Sequence, residues 1–145
     1  MTYNKNTNRK LAMIILGIDY GTKNIGLAIS DETGLVAGVL PILHNNDDEK
    51  AINNLLEIIF SHKVAAVLMG APMRERETDM FIKIKEFAAK LEARSGLSVK
   101  LWDESYSSQT VEKNLRGKRR KKSDSLAAQL LLQEYLDYLR ETKKT

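Results

Sequence analysis

MIILGIDYGTKNIGLAIS, Met13 to Ser30, is the stretch on which the fold turns. Its first half, Met13 to Asp19, is apolar and β-branched, and Ile25 to Ser30 resumes that pattern after the turn signal Gly21-Thr-Lys-Asn24. Two such runs about a short turn predict a hairpin whose first strand ends on a carboxylate. A carboxylate directly after a buried strand, followed by Gly21 with its freedom to turn tightly, stands where chemistry rather than packing would put it. Leu35 to Leu43 follows a second turn signal, Asp31-Glu-Thr-Gly34, and gives a third strand; Pro41 places its far end at an edge or outside the sheet.

Downstream the period changes. Asp47 and Asp48 favour a helix start, and Ile52, Leu55, Leu56 and Ile59 fall on one helical stripe. Val64 to Met69 is a short apolar run without polar alternation, as a strand covered on both faces requires, and Gly70 and Pro72 end it. Thr78 or Asp79 caps a second helix with apolar positions Met80, Ile84, Phe87, Ala88 and Leu91, stopped by Gly96. Leu97 to Trp102 forms a fifth strand that ends at the acidic pair Asp103-Glu104. A short helix over Ser107 to Leu115 and a last helix capped by Ser123, with Ala128, Leu131, Leu132, Tyr135, Leu136 and Leu139 as its apolar stripe, complete the chain near Arg140. The order βββαβαβα with one added helix predicts an α/β fold: a mixed five-stranded sheet with helices on both faces.

Composition narrows the function classes. A length of 145 residues fits one domain over 1–145, with the polar first twelve residues expected to fray. There is no cysteine, which excludes disulfides and thiolate-bound zinc, and His44 and His62 stand in unrelated contexts that read as surface. A metal would therefore be held by oxygen. No apolar run approaches the roughly 20 residues of a membrane span, and the polar start lacks an apolar signal core, so a cytoplasmic protein is expected. Net charge is +4, yet Arg116 to Lys122 (RGKRRKK) alone carries six positive charges, leaving the rest mildly acidic. A basic segment concentrated in this way suits phosphate-backbone binding, because counterion release favours clustered Lys and Arg; a solvated loop is the plain alternative.

Three carboxylates sit at element ends: Asp19 after the first strand, Glu104 after the fifth, Asp124 at the start of the last helix. If the first, fourth and fifth strands are neighbours, their C-terminal ends share the edge at which open α/β sheets place sites. Converging carboxylates repel one another unless a divalent cation such as Mg²⁺ lies between them. Asp124 also suits a helix N-terminus electrostatically. Alternation sends Asp103 and Glu104 to opposite faces, so one of the two joins the site.

GIDYGTKNIGLAISD (Gly17 to Asp31), Gly70-Ala-Pro72, Asp103-Glu104-Ser105 and Lys122-Ser-Asp124-Ser-Leu-Ala-Ala128, in that order over about Leu16 to Leu139, resemble the YqgF/RuvX family of Holliday-junction-resolvase-like pre-16S rRNA nucleases. The resemblance implies an RNase H-like fold, Mg²⁺ or Mn²⁺ dependence, phosphodiester hydrolysis and a role in ribosome biogenesis, with Asp19, Glu104 and Asp124 matching the family's acidic positions. It also implies a nucleic-acid partner, structured RNA ahead of a DNA junction, for a monomer or homodimer. Three departures stand out: Ser105 where the family commonly has Arg, Met73 to Thr78 in place of a loop rich in Asn, Gly and Asp, and Asn24 where Arg is frequent. Arg74 and Arg76, with Arg116, Lys118, Arg119, Arg120, Lys121 and Lys122, would supply the positive charge that grips phosphates.

Three rival readings share these residues. One is a resolvase of DNA junctions. Another is an RNA-binding module with weakened catalysis, which the Ser105 departure favours. The third is half of an actin-like or sugar-kinase-like ATPase, because Asp19-Tyr-Gly-Thr22 also looks like a phosphate-binding turn, although 145 residues offer only half of such a cleft.

Overall fold

The computed structural model describes residues 2–4, 9–103 and 125–142. Thr2–Asn4 (β1) and Arg9–Leu11 (β2) pair antiparallel as a separate ribbon where the polar opening predicted fraying. Backbone N–H and C=O groups pair without any apolar signal, so periodicity did not announce them.

The main sheet is built from Ile15–Asp19 (β3), Asn24–Ser30 (β4), Ala37–His44 (β5), Ala66–Ala71 (β6) and Val99–Asp103 (β7), in the order β5-β4-β3-β6-β7. β4 runs antiparallel to both β3 and β5, while β3, β6 and β7 are parallel to one another. The expected hairpin and three-strand meander are thus present, and β5 lies at an edge as Pro41 indicated. β3 is central because its residues Ile15 to Ile18 are buried whichever face they point to.

Helices Asp48–Ser61 (α1) and Asp79–Ser95 (α2) cover one face, where Leu16, Ile18, Leu27, Val67 and Met69 meet Ile52, Leu55, Ile84, Phe87 and Leu91. Leu126–Thr142 (α3) covers the other, where Ile15, Ala28 and Leu68 meet Ala128, Leu131, Leu132 and Leu136. The caps follow the residue chemistry: the Asp47 carboxylate accepts from Glu49 N–H, the Thr78 hydroxyl accepts from Phe81 N–H, and Gly96 closes α2 at φ 73.

Several boundaries differ from the sequence reading for local reasons. β5 starts at Ala37, and Leu35 and Val36 are exposed, because the Asp31 carboxylate accepts from Thr33 Oγ1 and from Leu35 and Val36 N–H and so lengthens the turn. In α2 it is Phe81 that is buried, at 6% exposure, whereas Met80 is 41% exposed; the stripe runs Phe81, Ile84, Phe87, Ala88, Leu91. The fourth strand spans Ala66–Ala71 and the fifth Val99–Asp103, each shifted toward its C-terminal end. The helix expected over Ser107 to Leu115 and the Ser123 cap lie outside the described residues. Among the described residues no helix is long and apolar enough to cross a membrane.

Candidate active site

Because β3, β6 and β7 are parallel, they leave the sheet at one rim, where Asp19, Ala71 and Asp103 are their last residues. β5 runs in the same direction, so α1 starts at this rim, and α2 starts from the loop that follows β6. Two helix N-termini, each with partial positive charge, therefore lie at this rim, on the α1/α2 face of the sheet.

Asp19 pairs with Gly26 of β4, and the register of β3 with β6, continued one step past Ile18–Met69, brings Asp19 level with Gly70, itself paired with Trp102. Asp19 is thus flanked by two glycines in its row across the sheet. Its side chain shares the α3 face: a Cβ on Gly17, two residues earlier, would meet Leu132 at 3.0 Å. A Cβ on Gly26 would stand 3.6 Å from Asp19 Cβ, 3.6 Å from Ala128 Cβ and 3.7 Å from Ser125 Cα. The first turn of α3 therefore lies beside Asp19, over a strand that presents no side chain there.

Ser125 fixes that turn. The β4–β5 register shifts between Ile25 and Leu27, with Pro41 and Ile42 set against Gly26, a β-bulge. The Ser125 hydroxyl sits at this irregularity, accepting from Leu27 N–H at 3.0 Å and donating to the Leu40 carbonyl at 2.8 Å. Gln129 donates to the Ala37 carbonyl, and Gln133 accepts from Ala37 N–H and donates to the Leu35 carbonyl, continuing the stitch along the edge strand. Sequence reading missed Ser125, Gln129 and Gln133. Their spacing, one polar residue per helical turn on the side facing the sheet, was the available signal.

The turn after Asp19 is equally constrained. A Cβ on Gly21 would collide with the Asn24 carbonyl oxygen. Tyr20, 8% exposed, lies tilted against Phe87 with ring centres 4.7 Å apart and donates its hydroxyl to Asp48 at 2.9 Å. Asn45 donates to both the Gly21 carbonyl and Asp48, tying the turn to the start of α1. Burial, together with the hydroxyl's bond to Asp48 and that residue's charge, holds the Tyr20 pKa above its ordinary 10.0.

Of the residues singled out by sequence, Asp19 stands partly buried at the rim and Arg74 and Arg76 are exposed in the loop after β6, Arg76 Nε donating to the Met73 carbonyl at 3.1 Å. His44 and His62 are exposed, as read. Glu104, Asp124, Arg116, Lys118, Arg119, Arg120, Lys121 and Lys122 lie outside the described residues. Among the described residues no group of three or more His, Cys, Asp or Glu gathers as a metal site. In β7, Leu101 packs on the α1/α2 side and Trp102 on the α3 side, so alternation assigns Asp103 to the face away from Asp19.

A five-stranded sheet in this order with β4 alone reversed, and helices on both faces, is the RNase H-like architecture of resolvases. Two solved structures share it: Thermus thermophilus RuvC in complex with Holliday junction substrate (TM-score 0.65, 18% identity, 90% of this chain and 97% of that one) and the fowlpox virus resolvase with Holliday junction DNA (TM-score 0.56, 17% identity, 88% and 99%). At such identities the likeness is one of fold. The chain belongs to the family described as "RuvX: Holliday junction resolvase", which matches residues 13–138. A curated relative from Desulforamulus reducens, named "Putative pre-16S rRNA nuclease", is 38% identical over 133 residues, covering 86% of this chain and 97% of that protein.

Proposed function

We propose that the protein is a divalent-metal-dependent nuclease that hydrolyses phosphodiester bonds of structured RNA, acting in the cytoplasm in maturation of 16S rRNA precursors. One observation carries the reading: the first turn of α3 is held against Asp19 with only glycine between. Glu104 follows in the chain directly after Asp103, the last residue of β7. Asp19, Glu104 and Asp124 make an all-oxygen donor set suited to Mg²⁺ or Mn²⁺ in a chain without cysteine. A bound ion supplies charge neutralisation at the scissile phosphate and an acidified water.

The chain's own residues do the rest. The Tyr20–Asp48–Asn45 network and Gly21 hold the Asp19 backbone in one conformation, and Ser125 holds α3 at its side. Arg74, Arg76 and the Arg116–Lys122 segment bind flanking phosphates, which makes affinity fall steeply as salt rises. The names of the curated relatives support RNA as the substrate; the family description supports a four-way DNA junction as the alternative.

Cleavage assays on matched precursor-type RNA and junction DNA, with Mg²⁺ and with Mn²⁺, test this directly. Asp19→Asn and Asp124→Asn are expected to lose cleavage by two orders of magnitude or more while keeping wild-type circular dichroism. Wild-type rates in either variant would refute the assignment, and preferential cutting of the junction would replace RNA by DNA.

A further inference from the structure

Trp102 ends the row that begins Gly26, Asp19 and Gly70, so it lies on the face of Asp19 about two strand spacings, roughly 10 Å, away. It is not alone there. Tyr135 meets it edge-on at 4.9 Å, Tyr138 lies tilted against it at 5.3 Å, and the two tyrosines stack at an interplanar angle of 23°. Lys100 Nζ stands 5.9 Å from the Trp102 ring centre and 5.4 Å from that of Tyr135. Tyr138 is 48% exposed and Lys100 is exposed, at the outer strand of the sheet.

Packing alone accounts poorly for this cluster. Trp102 Nε1 is enclosed and has no acceptor among the described residues, a defect that a phenylalanine in the same space would avoid. Tyr138 places an aromatic face in water beside a cation, where an aliphatic residue would cover the sheet edge equally well. Exposed aromatic faces joined to a positive charge are the combination that holds unpaired nucleotides, the ring taking the base and the ammonium the phosphate.

We propose that Tyr138, Tyr135, Trp102 and Lys100 form a nucleobase-stacking subsite for a single-stranded segment of the substrate, next to the position of cleavage. The proposal rests on the nuclease reading for its occupant, and it gives that reading a polarity: the unpaired part of the substrate leaves the Asp19 rim across β7 and the C-terminal half of α3.

Trp102 is the only tryptophan, so its emission reports this surface alone. The probe is a short mixed-sequence RNA single strand, titrated into the full chain in EDTA so that cleavage plays no part. The strand is expected to quench Trp102, and Tyr138→Ala to weaken binding about tenfold, whereas Tyr138→Phe keeps wild-type affinity. Lys100→Glu, a change at an exposed side chain, is expected to weaken binding and to flatten its salt dependence even if Tyr138→Ala fails to fold. Asp19→Asn should quench as the wild type does, which separates this subsite from the catalytic assignment: loss of cleavage assays can fail while quenching persists, and the reverse. Unchanged Trp102 emission on saturation, or wild-type affinity in folded Tyr138→Ala and Lys100→Glu, overturns the proposal.

Discussion

Ser125 is 2% exposed and its single hydroxyl serves two backbone groups from different strands. Removing it leaves the Leu27 N–H and the Leu40 carbonyl without that partner in a closed space, a cost of about 1–3 kcal/mol. Ser125→Ala is therefore expected to lower the denaturation midpoint by that amount. It should also cut cleavage more than stability predicts, because the start of α3 is released next to Asp19; a Leu97→Ala variant of equal stability but intact activity is the control. At this scale the sequence was half legible. Asp19 stood out by its place after an apolar run, but Ser125 was hidden because its partners are backbone atoms exposed by a bulge, and a bulge leaves no mark on apolar alternation beyond Pro41.

Elements were read more reliably than their ends. The five strands of the sheet and the three described helices follow from period and caps, since burial on one face or two imposes those periods directly. The errors came where side chains compete with strand pairing, as Asp31 does at the start of β5, or where neighbouring apolar residues compete for one helical stripe, as Met80 and Phe81 do. The junction of β3 with α1 carries a prediction of its own. Tyr20 has a folded-state pKa raised above 10.0, so its contribution to stability is complete below that value and is lost as pH climbs through the higher folded pKa. In alkaline melts the wild type should lose stability more steeply than Tyr20→Phe, which has no proton to release there. Equal alkaline slopes would mean that burial and Asp48 together do not raise the Tyr20 pKa.

Across the whole molecule, two separate apolar clusters grip one sheet, and they do different jobs. The α1/α2 cluster is the larger; the α3 cluster is smaller and lies under the helix that approaches Asp19. Leu132→Ala, in the small cluster, and Leu91→Ala, in the large one, are each expected to cost about 2–5 kcal/mol, measured by denaturant unfolding. Leu132→Ala should depress cleavage further at temperatures where both variants remain folded. The site itself was legible only in outline: sheet order brings the first, fourth and fifth strands of the main sheet together as anticipated, and Asp19 is at their rim, while Glu104 and Asp124 fall outside the described residues.

The bond from Leu27 to Ser125 joins positions 98 residues apart. A ribosome delivers the central strand early and α3 about a hundred residues later, so Asp19 spends that interval without the helix that packs beside it. The rim at Asp19 is therefore finished only when two stretches made far apart in time have met.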